Sequence, residues 1–128
     1  MEEKLKAFER LLVIMDELRE KCPWDKKQTF DSAKRYTVEE ATEALEAIEK
    51  KDWNNLKEEL GDTLFNILFL CQLAEEEGLF TVRDVLEYNH QKMVGRHPHV
   101  FGDVKASTPE EALAAFLKAK EEEKKKKN

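Results

Sequence analysis

The stretch that decides the fold is residues 39–70, EEATEALEAIEKKDWNNLKEELGDTLFNILFL. Apolar side chains recur there every three or four residues on both sides of a short polar break, as in two amphipathic helices. Asp52 can cap the start of the second helix, so only a few residues join the two. A connection this short predicts an antiparallel helical hairpin with its turn centred on Lys51.

Helical patterns continue on both sides of this hairpin. The chain is rich in Glu, Lys, Ala and Leu but has only 4 Gly and 3 Pro, which favours helices over tight-turned β-structure. A helical segment begins near Thr29, and we expect a break around Tyr36 because Thr37 and Glu40 form a capping-box pattern. Main helices are predicted over about residues 2–20, 37–50, 53–77, 81–94 and 109–120. The predicted fold class is all-α, an antiparallel helical bundle.

The length of 128 residues fits one compact domain. We assign residues 1–120 to a single domain and expect residues 121–128, with their run of lysines, to form a charged, frayed tail. Residues 64–70, LFNILFL, are apolar almost all round the helix, which predicts burial on both sides. The simplest explanation is a homodimer or higher homo-oligomer; the alternative is a central helix wrapped by its own chain.

Charge and cysteine content exclude several classes of protein. Lys and Arg number 22 against 28 for Asp and Glu, and this net charge of −6 argues against a nucleic-acid partner. Cys22 and Cys71 form no CxxC pair, so neither a zinc site nor a disulfide framework is indicated, and a reducing compartment is expected. The N-terminus lacks a signal-peptide core, and the longest apolar stretch is too short for a bilayer. We therefore predict a cytoplasmic protein without a membrane partner.

Two acidic pairs flank the predicted turn. Glu40 and Glu43 share one helical face, and so do Glu59 and Asp62. Glu40 and Asp62 lie equally far from Lys51, as do Glu43 and Glu59, so each pair is level across an antiparallel hairpin. The four carboxylates converge if the apolar stripes of both helices face the core; these stripes are Ala41, Leu45 and Ile48, and Leu56, Leu60, Leu64, Ile67 and Cys71.

Four converging carboxylates repel one another unless a positive charge lies between them. Oxygen-only ligands suit Mg²⁺ or Mn²⁺, ions that also bind substrate phosphates. The alternative is ordinary helix chemistry: Glu40 has a structural role as the capping-box residue, and acidic pairs at this spacing arise by chance in an acidic chain. Spacing alone leaves both interpretations open.

Three motifs carry a resemblance to a known family. Residues 39–43 read EEATE and residues 59–62 read ELGD, the EExxE and ExxD pattern. Residues 22–29, CPWDKKQT, and residues 96–101, RHPHVF, match two further segments in the same order. Over roughly residues 8–120 the chain resembles the MazG family of nucleoside triphosphate pyrophosphohydrolases.

The resemblance implies an all-α bundle completed by dimerisation and a single MazG-like catalytic domain. It also implies Mg²⁺-dependent hydrolysis of a nucleoside triphosphate to the monophosphate and pyrophosphate, with Mn²⁺ as a possible substitute. Glu40, Glu43, Glu59 and Asp62 match the metal ligands and are assigned to catalysis. Glu39 matches the first Glu of the motif but points to a different side of the helix from Glu43, so it is assigned either to orienting water or to supporting the ligands from behind.

Further residues are candidates for holding the substrate. Lys92 and Arg96 are spaced i, i+4, with Asn89 one step earlier on that face, and Arg can clamp a phosphate through two hydrogen bonds. Their alternative role is as solvated surface cations. Trp24 can stack on the base and give broad base tolerance, or can pack in the core at the end of the first helix. His97 and His99 flank a proline in a turn and are expected to be structural rather than metal ligands.

The resemblance leaves alternatives. Gly95 stands where many relatives have a second Arg, and many full-length relatives carry two such domains in tandem, so the chain is either a single-domain member or one half of a tandem protein. A narrower dUTP, dCTP or damaged-nucleotide pyrophosphatase and a non-catalytic helical interaction module are the alternative functions. The intact set of four carboxylates argues against the non-catalytic interaction module.

Overall fold

The computed structural model describes residues 1–127, and it is all-helical over them, with 83% helix and no strands. The helices are α1 Glu2–Lys21, α2 Pro23–Lys26, α3 Phe30–Glu49, α4 Trp53–Glu76, α5 Val82–Arg96, α6 Pro98–Phe101 and α7 Pro109–Lys127. The predicted all-α class is confirmed. Within residues 1–127 no helix is both long and apolar enough to cross a membrane.

The chain divides into two compact units, the first Met1–Val82 and the second beginning at Arg83. The single domain that we predicted over residues 1–120 spans both. In the first unit α1, α3 and α4 contribute to one core, built around Met15, Leu68 and Phe69. Phe8, Leu11 and Leu12 of α1 pack against this core beside Met15, at the three- and four-residue spacing of one helical face.

Arg19 ties the end of α1 to its neighbours. Its Nε and Nη2 donate to the two carboxylate oxygens of Glu76 on α4 at 2.9 and 2.6 Å, and its Nη1 donates to the backbone carbonyl of Asp25 on α2. The same guanidinium lies 5.5 Å from the centre of the Phe69 ring. The hydrogen bonds from Arg19 lower the pKa of Glu76, so the pair stays charged while it closes one end of the core.

The break that we expected around Tyr36 is wrong, because α3 is continuous from Phe30 to Glu49. The capping box lies earlier: the Thr29 hydroxyl accepts the Ser32 N–H at 3.3 Å, and the Ser32 hydroxyl accepts the Thr29 N–H at 2.8 Å. A serine therefore fills the place where the motif usually has Glu or Gln. Glu40 lies in the middle of the helix and has no capping role.

The hairpin turn between α3 and α4 is confirmed at Lys51. Lys51 adopts the left-handed conformation, with φ of 55°, and its N–H donates to Ile48 O at 3.1 Å. The Asp52 N–H donates to Ala47 O at 3.0 Å, so α3 ends in a Schellman motif. The Asp52 side chain then caps α4 by accepting the Asn55 N–H at 3.2 Å, as predicted.

The condition that the apolar stripes of both helices face the core is met only in part, because Cys71 is buried and Leu56 is partly buried, whereas the other large members of the stripes are exposed. Ala44 and Ala47 are the buried residues in this part of α3, whereas Leu45 and Ile48 are half exposed. Small side chains on the inner face let the two helices approach closely, and the larger ones are left outside. The exposed outer face of the hairpin comprises Leu45, Ile48, Leu60, Leu64 and Ile67.

The second unit contains α5, α6 and α7. α6 forms where we expected only a polar turn, and Pro98 begins it, because proline is favoured at the first helical position. The predicted start of α7 is confirmed, with the Thr108 hydroxyl accepting the Glu111 N–H at 3.1 Å. α7 extends to Lys127, past the point at which we expected fraying, and the Lys127 ammonium donates to the Tyr88 hydroxyl at 2.7 Å. Asn128, the last residue of the expected tail, lies outside the described residues.

Lys51→Gly should stabilise the protein by about 1 kcal/mol, because a left-handed conformation penalises every residue with a Cβ. Gly78 is the matched control: it ends α4 in the same motif, with φ of 72°, and no other residue lies within 4 Å of its Cβ position. Gly78→Lys should destabilise the protein by a similar amount. Urea denaturation of both variants measures the two changes, and a destabilised Lys51→Gly would contradict the assignment of strain to this turn.

Candidate functional site

Three carboxylates meet in the seam between α3 and α4. Glu40 and Glu43 come from α3 and Glu59 from α4, and one oxygen of each lies within 4.8 Å of the others. Glu59 is only 9% exposed, Glu40 is partly buried and Glu43 is exposed, so the cluster runs from the seam to the surface. The antiparallel hairpin predicted from the sequence is what brings these three together.

The cluster is electrostatically unsatisfied. Hydrogen bonding to Glu43, burial and the charge of Glu40 raise the pKa of Glu59 to about 7. Burial, followed by the nearby charges of Glu43 and Asp62, raises the pKa of Glu40, while hydrogen bonding to Glu59 opposes that rise. One oxygen of Glu40 and one of Glu59 are buried without a hydrogen-bond partner.

These carboxylates fit a divalent cation. Within residues 1–127 no Lys, Arg or His forms an ion pair with Glu40, Glu43 or Glu59, so the clustered negative charge is not balanced by the chain itself. Buried polar atoms are normally hydrogen-bonded, and two unpartnered oxygens in one close group of carboxylates point to a missing positive partner. The donor set is oxygen only, which suits a hard cation.

Asp62 and Glu39 lie at the edge of this cluster. Asp62 is exposed and outside the close group of three, but its charge reaches Glu40, where it contributes to the raised pKa. Glu39 is exposed on α3 next to Glu40. The structure therefore brings three of the four predicted ligands close together and places the fourth nearby.

The candidate phosphate contacts belong to the second unit. Arg96 is 9% exposed and donates through Nε and Nη2 to the Glu123 carboxylate on α7, at 3.1 and 3.4 Å. Lys92 is partly buried and Asn89 is exposed. Lys92 lines a cavity of about 570 Å³, whose other lining residues include Tyr88, Gln91, Gly95, Lys118, Glu123 and Lys127.

Trp24 lies on α2 and does not pack in the core. Its side chain is 57% exposed, and the Lys27 ammonium lies 4.3 Å from the centre of its ring. The core-packing alternative is therefore wrong, because α2 is a single turn that leaves the indole at the surface. An exposed indole with a cation on one face remains free to stack on its other face.

The two histidines of residues 96–101 pack within the second unit. The His97 Nδ1 lies 2.6 Å from the Met93 carbonyl oxygen, and the His97 ring lies 5.3 Å from the ring of Phe116. The rings of His97 and His99 are 5.6 Å apart. The packing of His97 against Phe116 connects the start of α6 to α7.

One residue of the seam was misassigned from the sequence. Thr37 is part of α3 rather than its cap, and its hydroxyl oxygen is buried without a hydrogen-bond partner. The signal was present in the spacing, because Ala33, Thr37, Glu40, Ala44 and Ala47 follow the three- and four-residue periodicity of one buried face.

The helical hairpin and its carboxylate cluster define an all-α protein with an acidic site suited to a cation. Residues 28–101 match the MazG nucleotide pyrophosphohydrolase domain, and this match covers more than half of the chain and includes all four predicted ligands. The chain belongs to this family.

Individual relatives agree with this assignment. The chain is 44% identical over 122 residues to the nucleoside triphosphate pyrophosphohydrolase of Escherichia coli (strain K12), which covers 93% of this chain and 46% of that protein. It is 50% identical over 98 residues to the nucleoside triphosphate pyrophosphohydrolase/pyrophosphatase MazG of Thermotoga maritima, covering 75% of this chain and 38% of that protein. The chain thus spans less than half the length of both relatives.

The fold is also similar to a solved structure. The crystal structure of a mazG-related protein from Thermotoga maritima superposes with a TM-score of 0.77 at 31% sequence identity. The superposition covers 88% of this chain and 98% of that one. The similarity therefore extends over nearly the whole of the Thermotoga maritima protein.

The metal-free protein should lose stability as the pH rises from about 5 to about 8. The pKa of Glu59 is raised from 4.5 to about 7 in the folded chain, so folding takes up a proton between these values, and stability present below pH 4.5 is lost as the pH passes through 7. Melting temperatures measured with a chelator at both pH values test this. Glu59→Gln should flatten the decline, and Glu58→Gln, an exposed neighbour, should follow the wild type. Identical profiles for all three proteins would contradict the raised pKa.

Proposed function

We propose that the protein is a Mg²⁺-dependent nucleoside triphosphate pyrophosphohydrolase that converts NTP or dNTP to the monophosphate and pyrophosphate. The observation that carries this proposal is the close group of Glu40, Glu43 and Glu59, with two buried oxygens that have no partner. Membership of the MazG family and the activity for which its relatives are named supply the class of substrate.

In the proposed site, Glu40, Glu43, Glu59 and Asp62 hold Mg²⁺, with Mn²⁺ as a substitute. When bound, such an ion neutralises phosphate oxygens and lowers the pKa of a water molecule. Glu39, exposed beside Glu40, orients the attacking water and accepts its proton. The water oxygen bonds to the α-phosphorus as the α–β anhydride bond breaks, and pyrophosphate leaves with the bridging oxygen.

The proposed substrate contacts are Lys92, Arg96, Asn89 and Trp24. Lys92 lines a cavity and has no carboxylate within ion-pair distance among residues 1–127, so its ammonium is available to a phosphate. Arg96 is engaged by Glu123, so a phosphate must take the place of that carboxylate to reach it. Stacking on exposed Trp24 reads little of the base edge and supports broad base tolerance.

We propose a homodimer or higher homo-oligomer as the working form. The outer face of the hairpin, defined above, leaves five large aliphatic side chains 41–55% exposed, an unfavourable arrangement in water. A second copy of the same hairpin offers a matching apolar surface. We also propose a reducing, cytoplasmic setting, as expected for a chain whose two cysteines form no CxxC pair.

Leu60→Glu should convert the oligomer to monomer, because it places a charge in the middle of the apolar outer face. Leu113→Glu on α7 is the matched control, since Leu113 is similarly exposed (58% against 54%) but belongs to the second unit. Sedimentation at micromolar concentration measures the mass of each species. A wild-type protein that sediments as a stable 15.0 kDa monomer would contradict the proposal.

Product analysis tests the activity itself. The wild type should release pyrophosphate, not orthophosphate, from several triphosphates and only with Mg²⁺ or Mn²⁺. Glu43→Gln should lower turnover by roughly a hundredfold, because it removes one charged ligand of the proposed metal site. It should also raise the metal-free melting temperature, because it removes one of several crowded charges. Glu46→Gln, exposed one turn further along α3, is the control and should keep wild-type turnover.

Four outcomes would count against the proposal in different ways. Release of orthophosphate would place the cleavage at another bond. Hydrolysis confined to dUTP or dCTP would favour the narrower pyrophosphatase, and absence of any metal-stimulated hydrolysis would favour the interaction module. Normal turnover in Glu43→Gln would remove this residue from the site.

A further inference from the structure

Thr37 lies on the buried face of α3, one turn before Glu40. α3 packs along α4, and Ala33 and Ala44, spaced with Thr37 and Glu40 along this face, are buried. Side chains three positions apart on a helix have their Cβ atoms about 5–6 Å apart, so Thr37 and Glu40 are neighbours on the same face. The threonine therefore borders the carboxylate cluster from the N-terminal side of α3.

The Thr37 hydroxyl differs from those of two other threonines in the same hairpin. Thr42 Oγ1 donates to the Val38 carbonyl at 2.8 Å, and Thr63 Oγ1 donates to the Glu59 carbonyl at 2.7 Å. Both use the backbone carbonyl four residues earlier, a common arrangement in helices. Thr37 Oγ1 is buried and has no hydrogen-bond partner, although the backbone carbonyl of Ala33 lies four residues earlier in the same helix.

The unpartnered hydroxyl is chemically complementary to its neighbour. Glu40 also has a buried oxygen without a partner, and an ionised carboxylate can only accept hydrogen bonds, whereas a hydroxyl can donate one. A buried donor and a buried acceptor on two side chains one helical turn apart suit a ligand that brings both a cation and an oxygen. A phosphate or a water molecule beside a divalent cation has this composition.

We infer that Thr37 is a positioning residue of the carboxylate site, whose hydroxyl donates a hydrogen bond to a ligand oxygen beside Glu40. That oxygen belongs either to a water on the cation or to a phosphate. The inference rests on the proposed function, because it assumes that Glu40 holds the cation. It adds a neutral donor to a site otherwise composed of acceptors.

Two substitutions separate this role from simple packing. Thr37→Val keeps the shape and removes the hydroxyl, and Thr37→Ser keeps the hydroxyl and removes the methyl group. Thr63→Val is the matched control, because Thr63 is also partly buried but its hydroxyl is already bonded to the backbone. The readouts are the metal-free melting temperature, the affinity for Mn²⁺ alone, and the affinity for inorganic pyrophosphate in the presence of Mn²⁺.

Thr37→Val should melt a few degrees higher than the wild type without metal, because it removes an unsatisfied buried hydroxyl. Thr37→Val should bind Mn²⁺, or pyrophosphate in the presence of Mn²⁺, about three- to tenfold more weakly than the wild type, which is the loss expected for one hydrogen bond. A loss seen with Mn²⁺ alone assigns the contact to water, and a loss seen only with pyrophosphate assigns it to phosphate. Thr37→Ser should bind like the wild type, and so should Thr63→Val.

Wild-type affinity of Thr37→Val for both Mn²⁺ and pyrophosphate would overturn the inference, and so would an equal loss in Thr37→Ser or Thr63→Val. Should Thr37→Val fail to fold in the thermal scan, Thr37→Ala replaces it under the same criteria. A wild-type protein that binds Mn²⁺ but hydrolyses no triphosphate contradicts the proposed function, while the binding comparison still decides the role of Thr37. A wild type that binds neither probe overturns both.

Discussion

Mutual repulsion among carboxylates held between two packed helices is the constraint on which the rest of this structure depends. Glu59 is almost fully buried, and its oxygens meet those of Glu40 and Glu43 rather than a lysine or an arginine. Such an arrangement resists folding unless a proton or a cation enters it. The pKa of Glu59 is raised to about 7, so without metal a proton on Glu59 relieves part of the repulsion. A site that destabilises its own hairpin is suited to binding a positive ligand.

The remainder of the hairpin compensates for this repulsion. Alanines 44 and 47 on the inner face allow α3 and α4 to approach closely, and the Schellman motif at Lys51 with the Asp52 cap fixes their register. The register decides which acidic side chains meet, because a slip of one residue turns a carboxylate to another face of its helix. Close packing on the inside moves the larger aliphatic residues outside. The apolar outer face is thus a consequence of how the acidic seam is built.

Much of this was predictable from local chemistry. Asp52 before a helical pattern was sufficient to predict the hairpin, and the spacing of the acidic pairs indicated that Glu40 and Glu43 approach Glu59. The same spacing placed Asp62 level with Glu40, whereas Asp62 lies outside the close group. Short-range rules failed where two local signals competed. Thr37 and Glu40 match a capping box, but Thr29 with Ser32 forms one earlier. Extending the helix that begins there costs less than nucleating a second one at Thr37.

Other features depend on contacts that no local pattern reveals. Periodicity shows that Leu45 and Ala44 lie on different faces of α3, but only the packing with α4 decides which face is buried. The pairing of Arg96 with Glu123 joins residues 27 positions apart, and neither segment contains a local pattern that predicts it. That pairing also accounts for an α7 longer than we expected, because it engages the last turns of the helix.

The central claim is that Glu40, Glu43 and Glu59 together hold a divalent cation. Its most direct test is the anomalous diffraction of crystals grown with Mn²⁺, which locates the ion without reference to activity. The account predicts an anomalous peak in the seam between α3 and α4, within bonding distance of oxygens from all three glutamates. A seam without such a peak at saturating Mn²⁺, or an ion bound only by residues elsewhere in the chain, would contradict it.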